Sequence, residues 1–166
     1  MAERNLELAD ELEAEIRSYV AAYTGALWHY VTGGKPIDYD ALGYWKFPIL
    51  MIGGAGESCS VTIHDEASFD AMVKPGYEHY LRDGWDGRVE VHQAKATLAG
   101  PAIGLVESAG SRYRADGSVN SSWSCTYLLQ RTARGWKHIG VDAGLPPRAV
   151  AQWGAWLNSV AAGGRG

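Results

Sequence analysis

The stretch AIGLVESAGSRYRADGSVNSSWSCTYLLQR, residues 102–131, is the key to the architecture. At its centre Asp116-Gly117 is a turn dipeptide, and the runs on both sides alternate with a period of two, the pattern of a β-hairpin. With that dipeptide as a two-residue turn, Ala115 opposes Ser118. The ladder then sets Gly110 against Trp123, Ser108 against Cys125, Val106 against Tyr127 and Gly104 against Leu129. Small faces large at nearly every step. Trp123, Cys125, Tyr127 and Leu129 therefore share one face, read as the inner one, where glycine and serine leave room for rings or for a ligand.

The same period extends to both sides. Arg88 to Leu98 precedes this hairpin across Ala99-Gly100, and Trp136 to Asp142 follows it across Arg134-Gly135, which predicts a four-stranded antiparallel meander. Such strands exceed the usual length of about five or six residues. Gly104 and Gly110 inside one of them predict bends or bulges, so the sheet is expected to curve enough to half-enclose something.

Towards the N-terminus the period changes to that of a helix. Leu12, Ile16, Tyr19, Val20, Tyr23, Leu27 and Tyr30 recur at steps of three and four, predicting a long amphipathic helix from Leu8 to Tyr30 that Gly33-Gly34 and Pro36 stop. Asp38 caps a short helix reaching about Gly43. Phe47 to Ile52 and Ser60 to Ile63 read as a hairpin around Gly53-Gly54-Ala55-Gly56, and Asp65 caps a further helix, kinked or split at Pro75, that ends at Gly84. Pro147 to Ala161 carries Trp153 and Trp156 at helical spacing, and is expected to cap the fold or meet a second copy. The prediction is one α+β domain over residues 1–166: a cone-shaped, strongly curved antiparallel sheet (core about 8–142) packed on N-terminal helices, with a C-terminal helical extension at 147–161.

Composition narrows the function classes. Of 166 residues 46% are hydrophobic and 20% charged, which suits one globular domain. The formal net charge of -4, with no basic cluster interleaved with aromatics, argues against nucleic acid as partner. Cys59 and Cys125 show no CxxC spacing, and the five histidines form no local ligand pair, so no metal is expected. The glycines at 53–56 match neither GxGxxG nor a phosphate loop, and no cofactor is expected. No apolar run approaches a membrane span, and MAERNLELADELEAE lacks the basic and apolar regions of a secretory leader, making the cytoplasm the expected location. Seven Trp and nine Tyr against two Phe bias the aromatic content towards rings with a polar handle, suited to lining a pocket or packing a core.

The order of helix, short helix, hairpin, helix and long meander resembles the nuclear-transport-factor-2-like superfamily, in particular its SnoaL-like, polyketide-cyclase-like branch. The residues that carry the resemblance are Tyr23 to Trp28, Tyr44-Trp45-Lys46-Phe47-Pro48, Arg112-Tyr113-Arg114-Ala115-Asp116-Gly117 and Arg131 to Lys137. It implies a cone-shaped fold with one pocket. It does not choose an activity, because such folds host isomerases, epoxide hydrolases, dehydratases and cyclases as well as non-catalytic binding or dimerisation modules.

Candidate chemistry comes from the last hairpin. With Arg134-Gly135 as a two-residue turn, Ala133 pairs with Trp136, Arg131 with His138, Leu129 with Gly140 and Tyr127 with Asp142. An aspartate on the concave face would have its pKa raised by desolvation, and a neighbouring phenol could orient it or donate to an oxyanion. Asp142 is thus the candidate base, Tyr127 the donor and His138 a candidate proton shuttle. Asp142 could equally end its strand in water, and if the faces are exchanged Glu107 becomes the leading carboxylate. Trp123, Tyr23, Tyr44 and Trp45 are candidates for shaping the pocket. The expectation is a cofactor-independent acid/base enzyme acting on a small, largely apolar, oxygenated metabolite. The alternative is a non-catalytic binding or dimerisation module. A homodimer is expected, since the outer sheet face and Trp153 and Trp156 would otherwise expose apolar rings.

Overall fold

The computed structural model describes residues 2–53 and 59–142. In chain order the elements are α1 (Ala2–Gly33), α2 (Tyr39–Leu42), β1 (Trp45–Gly53), β2 (Cys59–Ile63), α3 (Glu66–Arg82), β3 (Trp85–Leu98), β4 (Ile103–Arg114), β5 (Val119–Thr132) and β6 (Gly135–Asp142). Residues 54–58, which take in most of the predicted turn at 53–56, and the predicted helix at 147–161 lie outside the described residues.

The helices start and stop where local chemistry directs. Asp38 accepts a hydrogen bond from the Ala41 amide at 2.9 Å and Gly43 closes α2 in the left-handed region, φ 69°. Asp65 accepts from the Ser68 amide at 2.8 Å to open α3. Pro75 neither splits nor ends α3, which runs through it as one helix. Leu12, Ile16 and Leu27 on the inner stripe of α1 are fully buried. The helix is also tied to β3: Arg17 donates to the Val91 carbonyl at 2.9 Å, and Glu13 accepts from the Ala96 amide at 2.9 Å.

The six strands form one open sheet in the order β2-β1-β6-β5-β4-β3. The predicted meander and hairpin are both present. A parallel pairing of β1 with β6, which joins them, was not foreseen. Its ladder steps from Trp45↔His138 to Leu50↔Gly140, skipping the segment that contains Pro48, a residue with no N–H to donate. Gly104 serves close approach rather than bending, since a Cβ there would lie 2.4 Å from Leu12 Cδ1.

Register across β4 and β5 is as the sequence predicted, with Gly110↔Trp123, Ser108↔Cys125, Val106↔Tyr127 and Gly104↔Leu129. The loop itself is longer by one residue, Ala115-Asp116-Gly117 in place of Asp116-Gly117. Arg114 donates to the Ser118 carbonyl and accepts from the Gly117 amide, with Gly117 left-handed at φ 86°. A bulge at Asn120 then restores the predicted pairing, between Tyr113↔Val119 and Arg112↔Ser121.

The last hairpin departs from prediction. Thr132 pairs with Gly135, Arg131 with Trp136 and Leu129 with His138. Gly135, at φ 87°, is the left-handed residue that closes the turn around Ala133-Arg134, instead of the second residue of that turn. Ile139 forms a bulge, after which Leu128 pairs with Gly140, Tyr127 with Val141 and Thr126 with Asp142. The bulge exchanges the faces of the strand end. Val141 turns inward beside Tyr127, and Asp142 takes the outer face, so the predicted Tyr127–Asp142 neighbourhood is not formed.

Candidate ligand-binding site

The concave face of the sheet, α1 and α3 enclose a cavity of about 810 Å3. The inner positions of β5 supply Trp123, Cys125 and Tyr127, and α1 supplies Tyr19, Tyr23 and Thr24. Trp45 and Met51 come from β1. The far wall is α3, whose Phe69, Met72, Val73, Tyr77 and Tyr80 face the sheet. These positions recur at three- and four-residue steps, so one stripe of a single helix lines that side of the cavity. Val89, Val141 and Arg112 complete the sheet side.

Arg112 is the one charged side chain among the described lining residues. Its guanidinium donates to the Tyr77 hydroxyl at 3.0 Å and to Ser121 Oγ at 3.4 Å. Its Cζ lies 4.5 Å from the Tyr80 ring centroid, 5.0 Å from Trp123 and 5.1 Å from Tyr77. No carboxylate among the described residues forms an ion pair with it. Burial works against its charge, but the phenol oxygens of Tyr77, Tyr80 and Tyr127 more than offset this and its pKa is raised. Two residues along the strand, Arg114 instead fixes the end of α3 to the sheet, donating to the Asp83 carbonyl at 2.8 Å and pairing with the Asp83 carboxylate at 2.9 Å.

Four of the lining acids are held neutral, namely Cys125, Tyr127, Tyr19 and Tyr23. Burial pushes the Cys125 thiol up to about 11 and drives the Tyr127, Tyr19 and Tyr23 phenols well above their ordinary range. His138 is fully buried behind the wall, with its ring centroid 4.2 Å from that of Tyr19, 4.7 Å from Trp45 and 5.0 Å from Tyr127. Neither ring nitrogen has a hydrogen-bond partner among the described residues. Burial, with a smaller contribution from Lys137, lowers its pKa to about 3. At neutral pH it is an uncharged imidazole in an aromatic cage.

The candidate residues thus divide. Trp123, Tyr23, Trp45 and Tyr127 come together in the cavity wall. Tyr44 packs from behind, edge-on to Tyr19 with centroids 5.4 Å apart. Glu107 is exposed on the outer face between Val106 and Ser108, both buried, because strand alternation turns every second side chain outward. Asp142 is exposed on that same face through the Ile139 bulge. Sequence reasoning missed Arg112; it read Phe69, Met72, Val73, Tyr77 and Tyr80 along one face of the third helix without assigning that face to the cavity. The parity of β4 could have found Arg112, since it follows Gly104, Val106, Ser108 and Gly110 on the inward positions. Among the described residues no three His, Cys, Asp or Glu converge as metal ligands, and no helix is long and apolar enough to cross a membrane.

A helix-backed, curved, open sheet around one aromatic cavity is the architecture of the NTF2-like proteins. The chain belongs to the family described as NTF2-like protein (DUF6841), whose model matches residues 11–144. Among solved structures it is similar to an NTF2-like protein with a cystatin-like fold from Novosphingobium aromaticivorans, at 20% identity over 90% of this chain and 93% of that one, TM-score 0.54. It is also similar to a domain of unknown function with a cystatin-like fold from Nostoc punctiforme, at 11% identity over 90% of this chain and 96% of that one, TM-score 0.50. Both likenesses concern the fold. No curated protein matches the chain.

Proposed function

We propose that this domain is a binding module for a small, largely apolar molecule held in the cavity. The observation that carries the reading is an aromatic cavity of about 810 Å3 whose lining, among the described residues, contains no carboxylate and no histidine. That volume lies within the range of about 300–1,000 Å3 usual for ligand sites, and the rings of Tyr19, Phe69, Tyr77 and Trp123 offer broad apolar contact with polar rims. Acid/base catalysis of a cyclase or isomerase type would need a proton acceptor inside the cavity. Among the described lining residues, burial keeps Cys125, Tyr19, Tyr23 and Tyr127 protonated near neutrality, while Asp142 and Glu107 stand on the other face of the sheet. The SnoaL-like resemblance is therefore taken as one of architecture.

Titration with the neutral fluorophore N-phenyl-1-naphthylamine tests the reading. Wild type is expected to bind it saturably with quenching of tryptophan emission. Cys125→Phe, which places a ring in the cavity, is expected to weaken binding more than about ten-fold while the thermal midpoint stays within a few degrees. Absence of saturable binding, or equal binding by wild type and Cys125→Phe, would overturn it.

A further inference from the structure

Arg112 is a cation set into an apolar wall, and that arrangement selects a ligand. Resting on the proposed binding function, we infer that the cavity takes hydrophobic carboxylic acids, with the carboxylate bound by the Arg112 guanidinium and the hydrocarbon part lying against α3 and β5. A buried charge is costly unless it is paired and hydrogen-bonded. Here the pairing inside the protein is incomplete: no carboxylate among the described residues reaches Arg112. Its two side-chain hydrogen bonds, to Tyr77 and to Ser121, use fewer N–H groups than a guanidinium carries. The rings of Tyr77, Tyr80 and Trp123 gather around it and supply no anion.

The geometry also selects among anions. A guanidinium fork matches the two oxygens of a carboxylate or of a phosphate. One carboxylate neutralises one arginine, whereas a phosphate monoester would bring close to two negative charges into a wall that has a single cation among its described residues. The rest of the lining, with Val73, Met72, Phe69 and Val89, demands an apolar body on the acid. A protein of formal net charge -4 repels such an acid at long range, so recognition rests on this local cation.

The test compares 2-naphthoate and dodecanoate with 2-naphthamide and dodecanamide, and with 2-naphthyl phosphate, by calorimetric titration of wild type, Arg112→Met and Arg112→Lys. Wild type is expected to bind each acid at least ten-fold more tightly than its amide and more tightly than the phosphate ester. Arg112→Met should bring acid and amide within about two-fold of each other while still binding the amides, and Arg112→Lys should retain part of the preference. Equal affinity of wild type for acid and amide would overturn the carboxylate inference while leaving the apolar cavity standing. A preference for 2-naphthyl phosphate would overturn it in favour of a phosphorylated ligand. Loss of N-phenyl-1-naphthylamine binding by wild type would mark the failure of the underlying binding function instead. Should Arg112→Met not fold, the acid-against-amide comparison on wild type decides alone.

Discussion

At Gly110 a Cβ would lie 2.2 Å from Trp123 Cη2 and 2.3 Å from the Glu90 carbonyl oxygen, and the second of these neighbours is backbone. Trp123 covers the glycine and in turn forms the cavity wall and one side of the Arg112 cage. Gly110→Ala is therefore expected to destabilise the protein by about 2–3 kcal/mol in urea unfolding, near the upper end of ordinary overpacking. Gly104→Ala should cost less, because its nearest neighbour at 2.4 Å is a Leu12 methyl that can rotate. Equal costs would show that the Trp123 ring yields as readily as a leucine side chain. The sequence exposed this complementarity, since a glycine opposite a tryptophan can be read by counting from the turn.

Among the elements α3 matters most, because one of its stripes forms the wall facing the sheet. Its first turn hangs on Asp65, whose carboxylate accepts from the Ser68 amide and is held below the usual carboxylate range by that bond. Asp65→Ala should cost about 1 kcal/mol, measured by thermal unfolding, and Asp65→Ser appreciably less. Elements were largely legible: α2, α3, the hairpin and all four strands of the meander fall close to their predicted limits. Registers were legible only where errors cancelled. In the first long hairpin the turn differs from prediction by one residue and the Asn120 bulge restores it. In the second, the difference at the turn is two and the Ile139 bulge returns only one, which moves Asp142 off the inner face.

His138 bears on the stability of the whole molecule, because it is packed where α1, β1, β5 and β6 meet. Its folded pKa is depressed from 6.5 to about 3, so protonation favours the unfolded chain. The neutral histidine's contribution is therefore complete above about pH 6.5, declines as the pH falls towards about 3 and is flat below. The groups packed around it are Tyr19, Tyr44, Trp45, Tyr127 and the adjoining Lys137, none of them a carboxylate. Between pH 7 and pH 5 wild type should lose about 2 kcal/mol more unfolding free energy than His138→Phe, on the linkage relation. Identical pH profiles would mean that the imidazole is hydrated or paired in solution.

The period of each segment, the caps, the meander and the inward set Trp123, Cys125 and Tyr127 were written in the order of residues, because they follow from interactions between neighbours along the chain or directly across a turn. The parallel joining of β1 to β6, the face taken by Asp142 and the meeting of α3 with Arg112 emerged only when the elements packed together. Bulges have no fixed local composition. Asn120 is held in its bulge by hydrogen bonds to the Tyr80 and Asp83 carbonyls, at 3.3 and 3.0 Å, from a helix some forty residues earlier in the chain. A side chain's face depends on the sum of every such inserted residue before it, and that sum is set by packing between elements.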